Sequence, residues 1–188
     1  MTMHNHSQWR NRRTVRLAGY NYAAPGAYYI TICAARRGEV FGKIVNGEMI
    51  PNQVGATIRA VWHSLPRHHP HVALDAFVVM PDHVHGIIVI NDAVADNACR
   101  DAARCVPTPA TPATPATPAT PIAPGSLPAI VRAFKSAVTR EVNIMNGTPG
   151  ATLWQGRYYE HIVRDEADLD RIRAYIANNP HRWKSSRR

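Results

Sequence analysis

Cysteine is scarce, with three in 188 residues at Cys33, Cys99 and Cys105, and no two of them form a Cys-x-x-Cys pair. An odd and scattered set builds neither a disulfide framework nor a zinc ribbon, and reads as free thiols of a reducing cytoplasm. Cys33 sits in a strand-like run and is expected in the core. Long apolar runs are also missing. None approaches the roughly 20 residues of a membrane-spanning helix, so no membrane partner is expected. The opening residues, with Met1, His4, His6, Trp9 and Arg10, have no apolar stretch resembling a signal peptide, and export is not expected. Acidic residues are few: 13 Asp and Glu face 22 Lys and Arg, leaving a formal charge of +9 and a pI near 10.0. That balance points to a polyanionic partner, nucleic acid first.

What is present is enough for one core with appendages. Residues 1–19 form a basic arm, with Arg10, Arg12, Arg13 and Arg16 interleaved with Trp9 and followed by Tyr20 and Tyr22. Residues 20–183 read as a single catalytic domain. It is interrupted at 106–124 by a Thr-Pro-Ala tract that has little to bury and favours an extended, polyproline-like spacer. Residues 184–188 are a basic tail. Within the domain, Tyr28 to Ala34 reads as a buried strand after Pro25-Gly26. Asn46-Gly47 between apolar residues marks a tight hairpin closed by Pro51. Val54, Ile58, Val61, Trp62 and Leu65 mark one face of a helix over 53–65 that should stop at Pro66. Residues 72–79 are a strand, Met80-Pro81-Asp82 a turn, and His83 opens another strand. An apolar stripe from Leu127 to Val142 predicts a helix over 126–145, 153–163 looks extended, and Asp165 should cap a last helix running to about Asn178 and stopped by Pro180. His63, His68, His69 and His71 straddle a helix end and a loop, and read as a solvated or nucleic-acid-facing rim.

The chemistry concentrates in Met80-Pro81-Asp82-His83-Val84-His85-Gly86. Residues two apart on a strand share a face, so His83 and His85 can offer two imidazoles to one metal ion. The last helix carries Tyr175 and Asn179 four apart on one edge. A tyrosine hydroxyl can attack a phosphodiester and hold the cut end covalently. Two imidazoles and the Asn179 amide oxygen would give three ligands with positions open to phosphate and water, a set suited to Mg2+ or Mn2+. Arg10, Arg12, Arg13, Arg16, Arg157, Arg182 and Lys184, with Arg187 and Arg188, are candidates for DNA phosphate. Trp9, Tyr158 and Trp183 are candidates to stack on bases.

The sequence resembles the single-tyrosine HUH transposases and, within them, the REP-associated tyrosine transposases of bacteria. The matching residues are Arg10-Asn11-Arg12-Arg13 with Gly19-Tyr20, Tyr28-Tyr29-Ile30-Thr31-Ile32, and Val78-Val79-Met80-Pro81-Asp82-His83-Val84-His85. They continue through Trp154-Gln155, Tyr158-Tyr159-Glu160-His161, Arg164-Asp165, Tyr175-Ile176 and Asn179-Pro180. The resemblance implies an α+β domain of ferredoxin-like type, with a central antiparallel sheet in which the histidine strand is central and the tyrosine helix packs beside it. It implies cutting and rejoining of single-stranded DNA next to a hairpin, with a 5′-phosphotyrosine intermediate. His83 and His85 become metal ligands, Tyr175 the nucleophile and Asn179 the third ligand, where many relatives outside the REP-associated group have glutamine. The Thr-Pro-Ala tract and the short tail depart from the family pattern. Two other readings use the same residues: a noncatalytic module that binds hairpin DNA or RNA, and a rolling-circle replication initiator, which is usually larger. Monomer and homodimer, with Tyr175 acting in its own or a partner chain, are both compatible with the sequence.

Overall fold

Four runs of alternating or continuous apolar residues assemble into one sheet in the computed structural model, which describes residue 17 and residues 19–92 and 122–183. The elements are β1 (Gly26–Cys33), β2 (Gly42–Val45), β3 (Glu48–Pro51), α1 (Gln53–His68), β4 (Val72–Val79), β5 (His83–Ile90), α2 (Leu127–Asn146), β6 (Tyr159–Ile162) and α3 (Glu166–Arg182). The sheet order is β4-β5-β1-β6, antiparallel throughout. With the β2–β3 hairpin set aside, the path β1-α1-β4-β5-α2-β6 is the ferredoxin-like βαββαβ arrangement, to which α3 is appended. The histidine strand β5 lies in the interior of the sheet, as expected. The anticipated arm, most of the Thr-Pro-Ala tract, Cys99, Cys105 and the tail from Lys184 fall outside the described residues.

Local chemistry accounts for the boundaries. Asn46 and Gly47 both adopt positive φ, 52° and 81°, the primed turn whose twist suits a two-residue hairpin. Asn52 caps α1 by accepting from the Gly55 amide, and Asp165 caps α3 by accepting from the Asp168 amide. Gly147, left-handed at φ 62°, ends α2. Two expected helix ends are corrected. The helix α1 runs through Pro66 to His68, and α3 runs through Pro180 to Arg182. Each proline lies in the last turn, where it forfeits one amide bond while the turn still closes, through His69 N–H to Leu65 and Trp183 N–H to Pro180. The expected extended run over 153–163 is also shorter: only Tyr159–Ile162 is a strand, preceded by an isolated Ala34–Trp154 bridge.

The two faces of the sheet are covered unequally. Tyr28, Ile30 and Ile32 of β1 and Val84, Ile88 and Ile90 of β5 meet α1 and α2 in the larger core, with Ile58, Trp62, Phe134 and Val138. On the other face Tyr29 and Ile87 meet Ile172 and Ile176 of α3 in a smaller cluster. Trp62 anchors the larger core, stacked on Phe77 with ring centroids 4.4 Å apart and set edge-on to Phe134 at 5.6 Å. Gly86 makes room for it, since a Cβ there would lie 2.5 Å from the indole ring.

Gly86→Ala is therefore expected to destabilise the fold by about 1–3 kcal/mol through overpacking. Adding Trp62→Phe should yield a double variant less destabilised than the sum of the single changes. Equilibrium denaturation of the four proteins checks this; strict additivity would disconnect Gly86 from Trp62.

Candidate active site

The pleat of β5 turns His83 and His85 to the face covered by α3. Across the β1–β5 ladder, His85 pairs with Thr31 and His83 with Cys33. The two Nε2 atoms are 3.0 Å apart. Each Nδ1 is held by a protein oxygen. That of His83 lies 2.6 Å from Asp82 Oδ1, and that of His85 lies 2.8 Å from the Tyr29 hydroxyl and 2.9 Å from Thr31 Oγ1. His85 is 4% exposed. Burial, and secondarily His83, lowers its pKa well below the ordinary value of 6.5, so the ring is neutral at physiological pH. This is the form that ligates metals. Two nitrogens each roughly 2.1 Å from one ion and at about a right angle to each other stand roughly 3 Å apart. The pair thus fits a divalent cation bound through Nε2, with oxygen partners behind both rings.

Polar contacts at both edges of the sheet hold α3 over the pair. A β-bulge between Leu74 and Phe77 interrupts β4. Asp75 within it receives Arg173 in a two-pronged contact, Nε to Oδ1 at 3.0 Å and a terminal nitrogen to Oδ2 at 2.7 Å. At the opposite edge His161 of β6 lies 2.7 Å from Asp168 in the first turn of α3. The hydrogen bond from His161 leads the contacts that hold the Asp168 carboxyl down at about 2. Beyond these anchors along the helix, Tyr175, Asn179 and Trp183 fall at successive turns. The Tyr175 ring sits 5.4 Å from the His85 ring and is 38% exposed, while Trp183 sits 5.7 Å from His83. Asn179, one turn from each, is 9% exposed, and its side chain makes no hydrogen bond to another described group.

Of the residues singled out by sequence, His83, His85, Tyr175 and Asn179 are thus gathered on one face. No cluster of three His, Cys, Asp or Glu side chains suited to a metal occurs among the described residues, so any third protein ligand must come from another residue type, as the Asn179 amide does. Arg157 and Arg182 are exposed. Arg10, Arg12, Arg13, Arg16 and Lys184, together with Trp9, Arg187 and Arg188, lie outside the described residues. Tyr158 and Tyr159 pack on opposite faces, against the larger and the smaller cluster. Cys33 is corrected from core to a half-buried position beside His83 in register. His71 bonds the Gly125 carbonyl at 3.0 Å, and its ring stands 6.0 Å from that of His69. Sequence reasoning missed Tyr29, Thr31 and Asp82 as partners of the imidazoles. The alternation of Tyr29 and Thr31 in β1 marked a shared face, but nothing local revealed that β1 would lie beside β5.

Fold and site together define an α+β protein with the fold of a REP-associated tyrosine transposase. A solved structure of such a transposase bound to a REP hairpin superposes with a TM-score of 0.55 and 19% identity, over 88% of this chain and 73% of that one. The chain belongs to the same family as an uncharacterized protein of Haemophilus influenzae (strain ATCC 51907 / DSM 11121 / KW20 / Rd). The two are 36% identical over 185 residues, which cover 98% of this chain and 96% of the relative. No family model matches the chain. Among the described residues, no helix is long and apolar enough to cross a membrane.

The depressed pKa of His85 has a measurable consequence. Above pH 6.5 the imidazole is neutral both folded and unfolded. Below it, the unfolded chain takes up a proton that the folded site refuses, so stability falls as the pH drops from the ordinary value of 6.5 towards the lower folded pKa. His69, lowered first by burial and then by His71, acts in the same direction. Denaturation at about pH 7.5 and about pH 5.5 should show lower stability at the acid end, with a smaller drop in His85→Gln. An unchanged drop would show that His85 does not set it.

Proposed function

We propose that the protein is a metal-dependent single-stranded DNA endonuclease and strand transferase, a transposase that cuts and rejoins DNA next to hairpin sequences through a 5′-phosphotyrosine. The observation that carries the reading is the convergence of His83 Nε2 and His85 Nε2 to 3.0 Å beneath the half-exposed ring of Tyr175. Nucleophile and ligands come from the same chain in this arrangement, which favours action in cis and requires no second copy. The hairpin-bound transposase of the same fold is a further support. The cellular setting is the cytoplasm, where the DNA of a bacterial chromosome is accessible.

In the cutting step Tyr175 gives up its proton, its oxygen bonds to phosphorus, and the bond from phosphorus to the 3′ oxygen breaks. The departing oxygen takes a proton and becomes a 3′-hydroxyl. Rejoining runs the exchange in reverse with a 3′-hydroxyl as nucleophile and returns the proton to Tyr175. One phosphoester replaces another at each stage, so no energy source is consumed. His83 and His85, with Asn179 as third protein ligand, would hold Mg2+ or Mn2+, which would supply polarisation of the phosphoryl oxygens and orientation of the scissile group. Asn179 suits that role because the residue is only 9% exposed and its side chain makes no hydrogen bond to another described group. The basic arm at 1–19, the Thr-Pro-Ala tract as spacer within a single catalytic domain, and the tail complete the organisation. Arg10, Arg12, Arg13, Arg16, Arg157, Arg182 and Lys184 supply the grip on phosphate.

Incubation of the full chain with Mn2+ and a hairpin oligonucleotide bearing a single-stranded flank should give a covalent adduct whose peptide map ends at Tyr175. Tyr175→Phe should abolish it. Attachment at Tyr158 or Tyr159 would overturn the assignment. His83→Ala and His85→Ala should each abolish cutting yet bind the oligonucleotide within a few-fold of the parent, because affinity resides chiefly in Lys and Arg contacts to phosphate. A catalytically silent parent that still binds the hairpin tightly would instead identify a binding module.

Removing residues 1–16 should make the logarithm of affinity fall less steeply with the logarithm of salt concentration, since fewer counterions are then released. An identical salt slope would remove the arm from the interface.

A further inference from the structure

The two imidazoles are backed by chemically different partners. Asp82 presents a carboxylate to His83 Nδ1; a carboxylate only accepts, so that nitrogen carries the hydrogen and leaves the Nε2 lone pair open. His85 Nδ1 instead faces two hydroxyls, Tyr29 at 2.8 Å and Thr31 at 2.9 Å, and a hydroxyl can donate or accept. Thr31 also donates to Tyr29 across 3.1 Å. Both hydroxyls come from β1, from alternate residues on the face that carries the site. The Tyr29 ring stacks on His85 with centroids 5.7 Å apart and an interplanar angle of 21°, and meets the Tyr175 ring edge-on at 6.3 Å. At 8% exposure Tyr29 has little access to water, so its hydroxyl depends on these neighbours.

Two hydrogen-bond arrangements fit the same heavy atoms. In the closed one, Thr31 donates to Tyr29, Tyr29 donates to His85 Nδ1, and the imidazole hydrogen sits on Nε2, directed at His83 Nε2 3.0 Å away. Every polar group along this chain to Asp82 is then satisfied, and no lone pair is left for a cation between the rings. In the open one, His85 carries its hydrogen on Nδ1 and donates into the hydroxyl pair, where the Tyr29 hydrogen turns to Thr31 Oγ1, 3.1 Å away, and that of the half-buried Thr31 turns outward. Both Nε2 lone pairs then face the same point. The imidazole is neutral in both arrangements, and its hydrogen moves from one ring nitrogen to the other with no net gain or loss.

We infer that Tyr29 and Thr31 are positioning residues: their hydroxyl pair sets the His85 tautomer, donating to Nδ1 in the ion-free protein and accepting from it when a divalent cation is held by His83 and His85. The inference rests on the reading of those histidines as ligands but makes no use of DNA. Removal of both hydroxyls leaves the buried Nδ1–H without an acceptor when the cation is bound, and loss of such partners typically lowers metal affinity 10- to 100-fold. Removal of Tyr29 alone spares Thr31 as an acceptor and deletes the donor that favours the closed arrangement.

The test uses the full chain without DNA. Nitrogen-15 NMR of the ring should report hydrogen on Nε2 of His85 in the ion-free protein and on Nδ1 after addition of Mg2+. Tyr29→Phe should shift the ion-free ring towards Nδ1–H and keep Mn2+ affinity, by titration calorimetry, at least at the parent level. Tyr29→Phe/Thr31→Val should weaken Mn2+ about 10- to 100-fold, and Tyr29→Phe/Thr31→Ser should recover it. Thermal melts confirm that each variant is folded; should the double variant fail to fold, the tautomers of Tyr29→Phe and Thr31→Val decide. Parent-like Mn2+ affinity in the folded double variant, one tautomer in both parent states, or no Mn2+ binding by the parent would each overturn the inference. A parent that binds Mn2+ as described but cuts no DNA would defeat the transposase reading and leave this one standing.

Discussion

Everything at this site depends on one strand having to serve two faces. Successive side chains of β5 alternate: Val84, Ile88 and Ile90 close the larger core, while His85 and Ile87 look towards α3. A one-residue slip would put both imidazoles among Trp62, Ile58 and Phe134 and expose the apolar set, so the core fixes the register and with it the geometry of the histidine pair. Gly86, directly after the second histidine, answers to the same packing. On its side of the sheet the space belongs to the Trp62 ring, and a side chain there would collide with it. The placement of the histidine pair is thereby inherited from hydrophobic packing on the opposite face.

The second element of the site is a helix that buries little apolar surface of its own. Ile172 and Ile176 are its buried aliphatic contacts, too few to orient seventeen residues against a sheet. Orientation comes from the polar anchors. Arg173 reaches the Asp75 bulge on one edge of the sheet and Asp168 meets His161 on the other. The bulge in β4 is what gives Arg173 a carboxylate to hold; a regular strand would have kept the alternation and lost the second prong. Sites built on strands and helices hold their geometry better than sites on loops, and here all four gathered residues stand on such elements.

Much of this was legible in the sequence where the signal is local. The His-x-His step, the Asn46-Gly47 turn, the Asp165 cap and the apolar stripe of α2 are decided by neighbours a few residues away, and each lies where the pattern puts it. The spacing of Tyr175 and Asn179 likewise puts both on one edge of a helix. What could not be read is non-local. Thr31 and Tyr29 become partners of His85 across more than fifty residues of chain, and Asp75 meets Arg173 across nearly a hundred. The proline boundaries failed for another reason: Pro66 and Pro180 act as stops in an isolated helix, yet in a final turn the single lost amide bond is outweighed by the packing of Leu65 or of the Asn179 turn. Cys33 was misplaced because an apolar strand flanked by apolar strands gives no sign of which alternate set will face a polar site.

The charge distribution separates the chemistry from the grip. Several described cations already have partners within the chain: Arg173 with Asp75, Glu166 and Asp170, Arg171 with Asp168, Arg140 with Glu141, and Lys135 with the carbonyls of Gln155 and Gly156. Lys135 is further marked by burial, which lowers its pKa. The site itself is nearly free of positive charge, being made of a neutral buried imidazole, hydroxyls, an amide and the Asp82 carboxylate beside His83. Such a site would repel a polyanion unless a cation stood between them, because a carboxylate and a phosphodiester of like sign would otherwise meet at short range. Many of the basic residues behind the formal +9 stand near the ends of the sequence, far from His83 and His85 in chain order. The work therefore divides by physics. Diffuse, salt-screened attraction acts over the length of a basic surface, whereas the geometry of β5 and α3 acts over the few ångströms between the two imidazoles and the Tyr175 ring.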